Sequence, residues 1–267
     1  MGELEQKVYR NPPIALVAVE IRHSGTDPLT EEGYDKIRQR LKDGWPIQMP
    51  AHDLTIDFGQ PGPSPVVVEY RRFMSRNRRT SITMRPGSTA VETVEYKGWT
   101  DLRPTLKAAL DVRAEVSEPS GYERVGLRYI DEVRVPGVEE PPNWSDWVHP
   151  SLLGAHPEGG TDLNLSDWQG MSTFGPADGR TLALRYGPRT GFAVDVDGPL
   201  KRTTPPTGPF FLLDIDSFWE MSDTIPEFVP DELMEKCDNL HAPIRQLFRG
   251  LITEKLQKEV LEEVLDA

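Results

Sequence analysis

The stretch ERVGLRYIDEVRVP, residues 123–136, places the tightest limit on what this chain can fold into. Val125, Leu127, Tyr129, Val133 and Val135 alternate with Arg124, Arg128, Glu132 and Arg134. That period of two marks a strand with one face covered and the other wet. A helix would scatter the same apolar residues around its circumference. A sheet with a covered face is therefore required near the middle of the chain.

Other elements are read around this strand. Residues 14–22, IALVAVEIR, follow Pro12-Pro13 and read as a first strand. Asp27-Pro28 offers an N-cap and first-turn pair for a helix to about Asp43, with Leu29, Tyr34, Ile37 and Leu41 on one side and Gly44-Trp45-Pro46 as the stop. A Pro- and Gly-rich connection at 59–65 precedes strands at 66–74, 79–85 and 89–96. Thr100 or Asp101 can cap the next helix, with Pro104 in its first turn and Leu102, Leu106, Ala109 and Leu110 on its buried face.

Beyond the organising strand, residues 136–180 read as a long irregular segment with a short helical stretch at 151–155. Strands are expected at 181–186 and 191–197, with Gly187-Pro188 as the turn between them, and again at 210–216. A last helix starts near Pro230 and is expected to run almost to the C-terminus, kinked or divided at Pro243. Leu233, Cys237, Leu240, Ile244, Leu247 and Leu251 form an apolar seam along it, so self-association through 233–251 is one use it could have.

The fold class expected is α+β: two pseudo-repeated halves, 1–120 and 121–267, each an antiparallel sheet packed by helices, with a long C-terminal helix. At fold level this plan resembles the TATA-box-binding proteins and the helix-grip ligand-binding domains, and a shared fold assigns no function.

Certain phrases are similar to a known family. Tyr9-x-x-Pro12-Pro13-Ile14 running to Glu20 and Ile21, Arg124-Val125-Gly126-Leu127-Arg128-Tyr129-Ile130, Leu213-Asp214-Ile215-Asp216, Leu240-His241 with Ile244 and Phe248, and Ile252-Thr253 span the chain. Together they resemble a sporadically distributed bacterial TIGR family of similar length. In that family Asn usually follows the Arg-Val-Gly-Leu-Arg-Tyr-Ile phrase, whereas this chain has Asp131. The resemblance implies one family over the whole length and brings no activity, substrate or catalytic residue with it.

Charge narrows the partners. The net charge of −13 over 267 residues opposes general binding to nucleic acid or anionic membranes. The charged opening MGELEQKVYRNPP lacks the apolar core of a signal peptide, and no apolar run approaches the roughly 20 residues that span a bilayer. The single cysteine, Cys237, has no partner for a bridge. A cytoplasmic protein without membrane contact is the expectation.

Several constellations are candidate sites. Asp131 shares the apolar face of its strand, where a carboxyl must be paired with an Arg or a loop amide, the commoner arrangement, or stand as a perturbed acid in a pocket. Residues 70–79, YRRFMSRNRR, gather Arg71, Arg72, Arg76, Arg78 and Arg79 into a basic hairpin suited to carboxylate or phosphate. Trp144, Trp147 and Trp168 lie in the long segment as interface anchors or as lids over a core. With Arg124 and Arg128 they complete the candidate binding set.

The phrases Asp195-Val196-Asp197 and Asp214-Ile215-Asp216 each place two carboxylates on one strand face, and paired strands would converge them on Mg²⁺ or Ca²⁺. The commoner outcome for such faces is solvation or pairing with Arg. The five histidines have no metal spacing, no phosphate loop or nucleophile motif is present, and no cofactor is called for. The leading expectation is a binding protein for a protein or peptide partner. A small-molecule-binding domain or enzyme with a helix-over-sheet cavity comes second, and nucleic-acid binding through the 70–79 hairpin third.

Overall fold

The computed structural model describes residues 7–24, 29–57, 64–136, 142–154, 165, 167–221 and 223–265. The expected α+β class is what it shows: helices packed on an antiparallel sheet. The strands are β1 (Lys7–Tyr9), β2 (Ile14–His23), β3 (Ile47–Asp57), β4 (Ser64–Met74), β5 (Thr80–Met84), β6 (Ser88–Thr93), β7 (Tyr122–Val133), β8 (Gly170–Ala177), β9 (Arg180–Thr190), β10 (Pro209–Glu220) and β11 (Glu263–Leu265). The helices are α1 (Glu31–Leu41), α2 (Trp99–Ser117), α3 (Pro230–Leu251) and α4 (Glu254–Glu259).

Nine strands form one sheet in the order β3-β4-β5-β6-β2-β7-β10-β9-β8, and β1 pairs with β11 separately. The organising strand, β7, is central: it pairs with β2 on one side and β10 on the other, all antiparallel. Its odd-numbered residues face the core, where Val125, Leu127 and Val133 are buried with Val17, Val19 and Ile21 of β2 and Leu213 and Ile215 of β10. The helices cover that face in one layer, α1 against β4, α2 against β6, and α3 against β7 and β10.

The open face is a ladder of charges. Arg128 donates two hydrogen bonds of 2.7 Å to Asp214, which also has Arg185 at 3.6 Å. Arg124 reaches Asp216 at 2.8 Å and Glu20 at 3.7 Å. Opposite charges on neighbouring strands stabilise this face of the sheet.

Where local structure departs from the sequence reading, edges and loops are responsible. Residues 47–57 form β3, and residues 170–177 form β8 inside the segment expected to be irregular. Both lie at the edges of the sheet, where Pro50 and Pro176 are tolerated because an outward position needs no donor. Gly187-Pro188 is not a turn: β9 continues through both, with Pro188 opposite Phe211. β8 pairs with β9 only as far as Tyr186, so the missing donor of Pro188 faces no neighbouring strand.

The strand expected at 191–197 does not form. That chain belongs to the connection between β9 and β10, in which the amide of Ala193 donates to Glu132 Oε1 at 2.7 Å and that of Asp197 to Asp195 Oδ1 at 2.9 Å. The connection crosses to the β4–β5 turn, where the amide of Lys201 donates to the Arg78 carbonyl at 2.8 Å. Glu132 is thereby buried at 5% exposure, clamped by Arg202 at 2.8 Å and Arg134 at 2.9 Å.

Helix limits also shift. Asp27-Pro28 lies outside the described residues, and α1 is capped by Thr30, whose Oγ1 accepts from the Gly33 amide at 3.1 Å. Gly98, rather than Thr100 or Asp101, takes the cap position of α2, and Pro104 falls inside the helix past its first turn. α3 runs continuously through Pro243 and stops at Leu251; α4 follows after Thr253. The seam residues Leu233, Cys237, Leu240 and Ile244 are spent within the chain, in the core beneath α3. No helix among the described residues is long and apolar enough to cross a membrane.

Candidate functional site

Asp131 marks the site. As the odd-numbered residue between Tyr129 and Val133 it enters the helix-covered side, 3% exposed. It pairs with Leu213 of β10 and with Ile14 of β2, where the register slips between Ile14 and Leu16. The amide of Glu132 donates to the Pro13 carbonyl at 2.8 Å, holding the incoming chain beside it. Bulges of this kind re-aim side chains and accompany functional sites.

Among the described residues Asp131 has no hydrogen-bond or ion-pair partner, which overturns the expectation of a strand-end Asp paired to Arg or a loop amide. Burial, together with the charge of Asp214, pushes its carboxyl up to about 8. At neutral pH it is therefore a carboxylic acid with a proton to offer.

A pocket of about 560 Å³ opens beside it, bounded by the chain leading into β2, the start of α2, β7 and the second half of α3. Tyr129 crosses the floor and donates from its hydroxyl to that of Tyr96 at 2.7 Å, their rings edge to face at 5.3 Å. Burial raises Tyr96 to about 12 and lifts Tyr129 well above the usual phenol range. One wall is a stack: His241 lies parallel to Trp99 at 5.5 Å, and the Trp99 indole donates to Asp238 at 2.7 Å. Burial first, and then the charge of Arg245, lower His241 below the ordinary histidine value, so its ring is neutral at pH 7.

The start of α2 contributes backbone rather than side chain. Gly98 sits at φ 157° and ψ 163°, a conformation L side chains rarely adopt, and supplies no side-chain cap to the first turn. The first-turn amides there carry the positive end of a helix of 19 residues. Lys97, Arg245 and Arg249 also line the pocket, with Asp101 and Asp131 as its carboxyl groups.

The other candidate residues lie elsewhere. Arg124 and Arg128 are on the opposite face of β7 from Asp131 and are held by Asp216, Glu20 and Asp214. In the hairpin, Arg71 pairs with Glu31 at 2.7 Å, Arg72 with Glu92 at 3.8 Å and Arg79 with Glu95 at 2.7 Å. Arg76 and Arg78 are exposed at the turn. Trp144 is buried at 4% exposure against Phe211, with ring centroids 5.3 Å apart. Trp168 packs on the same ring and donates to the Leu152 carbonyl at 2.7 Å, and Trp147 lies under the Lys255 ammonium at 4.3 Å.

The four aspartates do not converge. Asp195 and Asp197 sit in the β9–β10 connection, while Asp214 and Asp216 point into the charge ladder and are occupied by arginines. Among the described residues no group of three or more His, Cys, Asp or Glu is placed to hold a metal.

Asp131 was visible to sequence reasoning as a site residue, but Tyr96, Lys97, Trp99, His241, Arg245 and Arg249 were not. Their signal is weak: a Gly-Trp-Thr start to a helix, and basic residues four apart on a distant one. No protein-family model matches this chain, and no curated protein matches it.

Proposed function

We propose that this protein binds a small molecule in the pocket between β7, the start of α2 and the second half of α3. The observation that carries the reading is Asp131. The other buried carboxylates of the sheet, Glu132 and Asp214, each have arginine partners, whereas Asp131 meets the pocket. Buried polar groups are ordinarily satisfied, and a buried acid kept without a protein partner beside a concave, half-apolar space is what a ligand would satisfy.

Ligand-observed NMR with a fragment library tests this, with Ile244→Trp as a variant that fills the pocket. Fragments should bind the wild type and lose binding in the filled variant. Hits that bind both proteins equally, or no hits at all, would sink the reading.

The pseudo-repeat of halves 1–120 and 121–267 belongs to the same proposal. In its support, the sheet runs outward from the β2–β7 pair as β6, β5, β4 and β3 on one side and β10, β9 and β8 on the other. In each half a long helix, α2 or α3, follows those strands on the covered face. Membership of the TIGR family rests on the phrases quoted above, and a cytoplasmic setting on the charge and cysteine usage.

A protein or peptide partner at the hairpin turn is the second reading. The exposure of Arg76 and Arg78 favours it. Arg76→Glu with Arg78→Glu should then abolish capture of that partner and leave fragment binding in the pocket unchanged.

A further inference from the structure

We infer that the ligand of this pocket is a small organic oxyanion with a flat apolar body, its acidic group seated at the start of α2 and hydrogen-bonded by the Asp131 carboxyl. This deepens the small-molecule reading and rests on it.

The sign of the charge comes first. Lys97, Arg245 and Arg249 line the pocket against the carboxylate of Asp101, which is exposed, on a chain whose net charge is −13. A locally positive concavity on an acidic protein concentrates anions there. The uncapped first turn of α2 adds donors and the positive end of the helix dipole. Arg249 also meets Glu263 at 3.6 Å, so part of its charge is already balanced.

The donors come second. Tyr129 spends its proton on Tyr96, which leaves the Tyr96 hydroxyl to donate in turn. Asp131, buried on the same strand face two residues on, is the second donor; both line the pocket. Such a site rewards a ligand made of acceptors and leaves a donor-bearing one unmatched. The body of the ligand is set by the parallel Trp99–His241 stack and by Ile14, Ile244 and Phe248, which favour a planar apolar group.

The donor role of Asp131 has a pH signature. Its proton is lost near pH 8, and the resulting charge would repel the anion. The titratable groups around it are Tyr129 on its own strand, Tyr9 on β1, Tyr96, Lys97 and Asp101 at the start of α2, His241, Arg245 and Arg249 on α3, and Asp214 on β10. His241 is lowered and the three tyrosines are raised, so the imidazole stays neutral and the phenols stay protonated from about pH 7 to 9.

Calorimetric titration of the full chain with benzoate, phenyl phosphate and neutral benzamide, at about pH 7 and pH 9, tests the proposal. One of the two anions should bind at least roughly tenfold more tightly than benzamide at the lower pH, and which one does so separates carboxylate from phosphate. Its affinity should fall roughly tenfold at the higher pH in wild type and stay flat in Asp131→Asn, whose amide still donates. Benzamide binding as tightly as the anions, or a pH fall that persists in Asp131→Asn, would overturn the anion proposal while leaving the pocket reading intact. Absence of binding by all three probes, or equal binding to Ile244→Trp, would overturn both.

Discussion

The hydroxyl of Tyr129 donates to the hydroxyl of Tyr96 at 2.7 Å, tying the central strand β7 to the segment that leads into α2. Both rings are largely buried, and the bond fixes the direction of the Tyr96 proton. Tyr129→Phe removes the donor and leaves the Tyr96 oxygen without this partner. The expected cost is about 1 kcal/mol in chemical denaturation, together with weaker binding of an anionic probe as Tyr96 loses its set orientation.

Asp131 should make the protein less stable as pH rises. Its folded value of about 8 lies above the ordinary carboxyl value of 3.8, so the native state holds a proton that the unfolded state has released. The stabilisation is complete below about pH 4, declines between those values and is gone above about pH 8. Asp131→Asn carries no proton to lose. It should match or exceed wild type at high pH by about 2–4 kcal/mol, with that advantage shrinking as pH approaches 4 in thermal melts. A constant difference across the range would show that the carboxyl is not neutral in the folded protein.

His23 acts with the opposite sign. It is 3% exposed, donates from Nδ1 to the Ser24 carbonyl at 3.3 Å, and stacks edge-on to Phe228 at 5.8 Å. Burial, and then the Arg113 charge, lower it from 6.5 to about 4. Its contribution is present above about pH 6.5 and lost as pH falls through 4, because the unfolded state takes up the proton first. His23→Gln should therefore flatten the stability curve between those values by about 1–3 kcal/mol, read from denaturant midpoints.

Glu132 and Arg202 form the most enclosed ion pair of the open face, with side chains 4% and 7% exposed. Burial pushes Glu132 up, but the Arg202 hydrogen bond, the Ala193 amide and Arg134 together hold it below the usual carboxyl value. Glu132→Ala strands Arg202 and should cost about 3–5 kcal/mol. Glu132→Leu combined with Arg202→Met should cost distinctly less, because the more enclosed of the two arginines on Glu132 is no longer left as an uncompensated charge and only Arg134, at 19% exposure, loses its carboxylate. Equal losses in the single and double variants would mean that the pair is not the clamp of the β9–β10 connection.

The sequence by itself determined the elements whose burial is one-sided. Val125 to Val133 in β7, Val17 to Ile21 in β2, and Leu102 to Leu110 in α2 carry their period in the order of residues, because every second or every third to fourth side chain meets the same covering layer. Even the anomaly at Asp131 was legible as a carboxyl on an apolar face. Edge strands β3 and β8 carried no such signal: their prolines and glycines are permitted by an unpaired edge, and only the strand order reveals that edge.

Tertiary structure alone decided what Asp131 faces. The bulge at Ala15, the uncapped start of α2 and the turn of α3 bearing His241 and Arg245 come from parts of the chain more than a hundred residues apart in places. It also decided that Arg124 and Arg128 would be neutralised across the sheet, while Lys97, Arg245 and Arg249 were brought together on the walls of the pocket behind them. Pairing and burial depend on neighbours in space, and no local pattern records which neighbours those are.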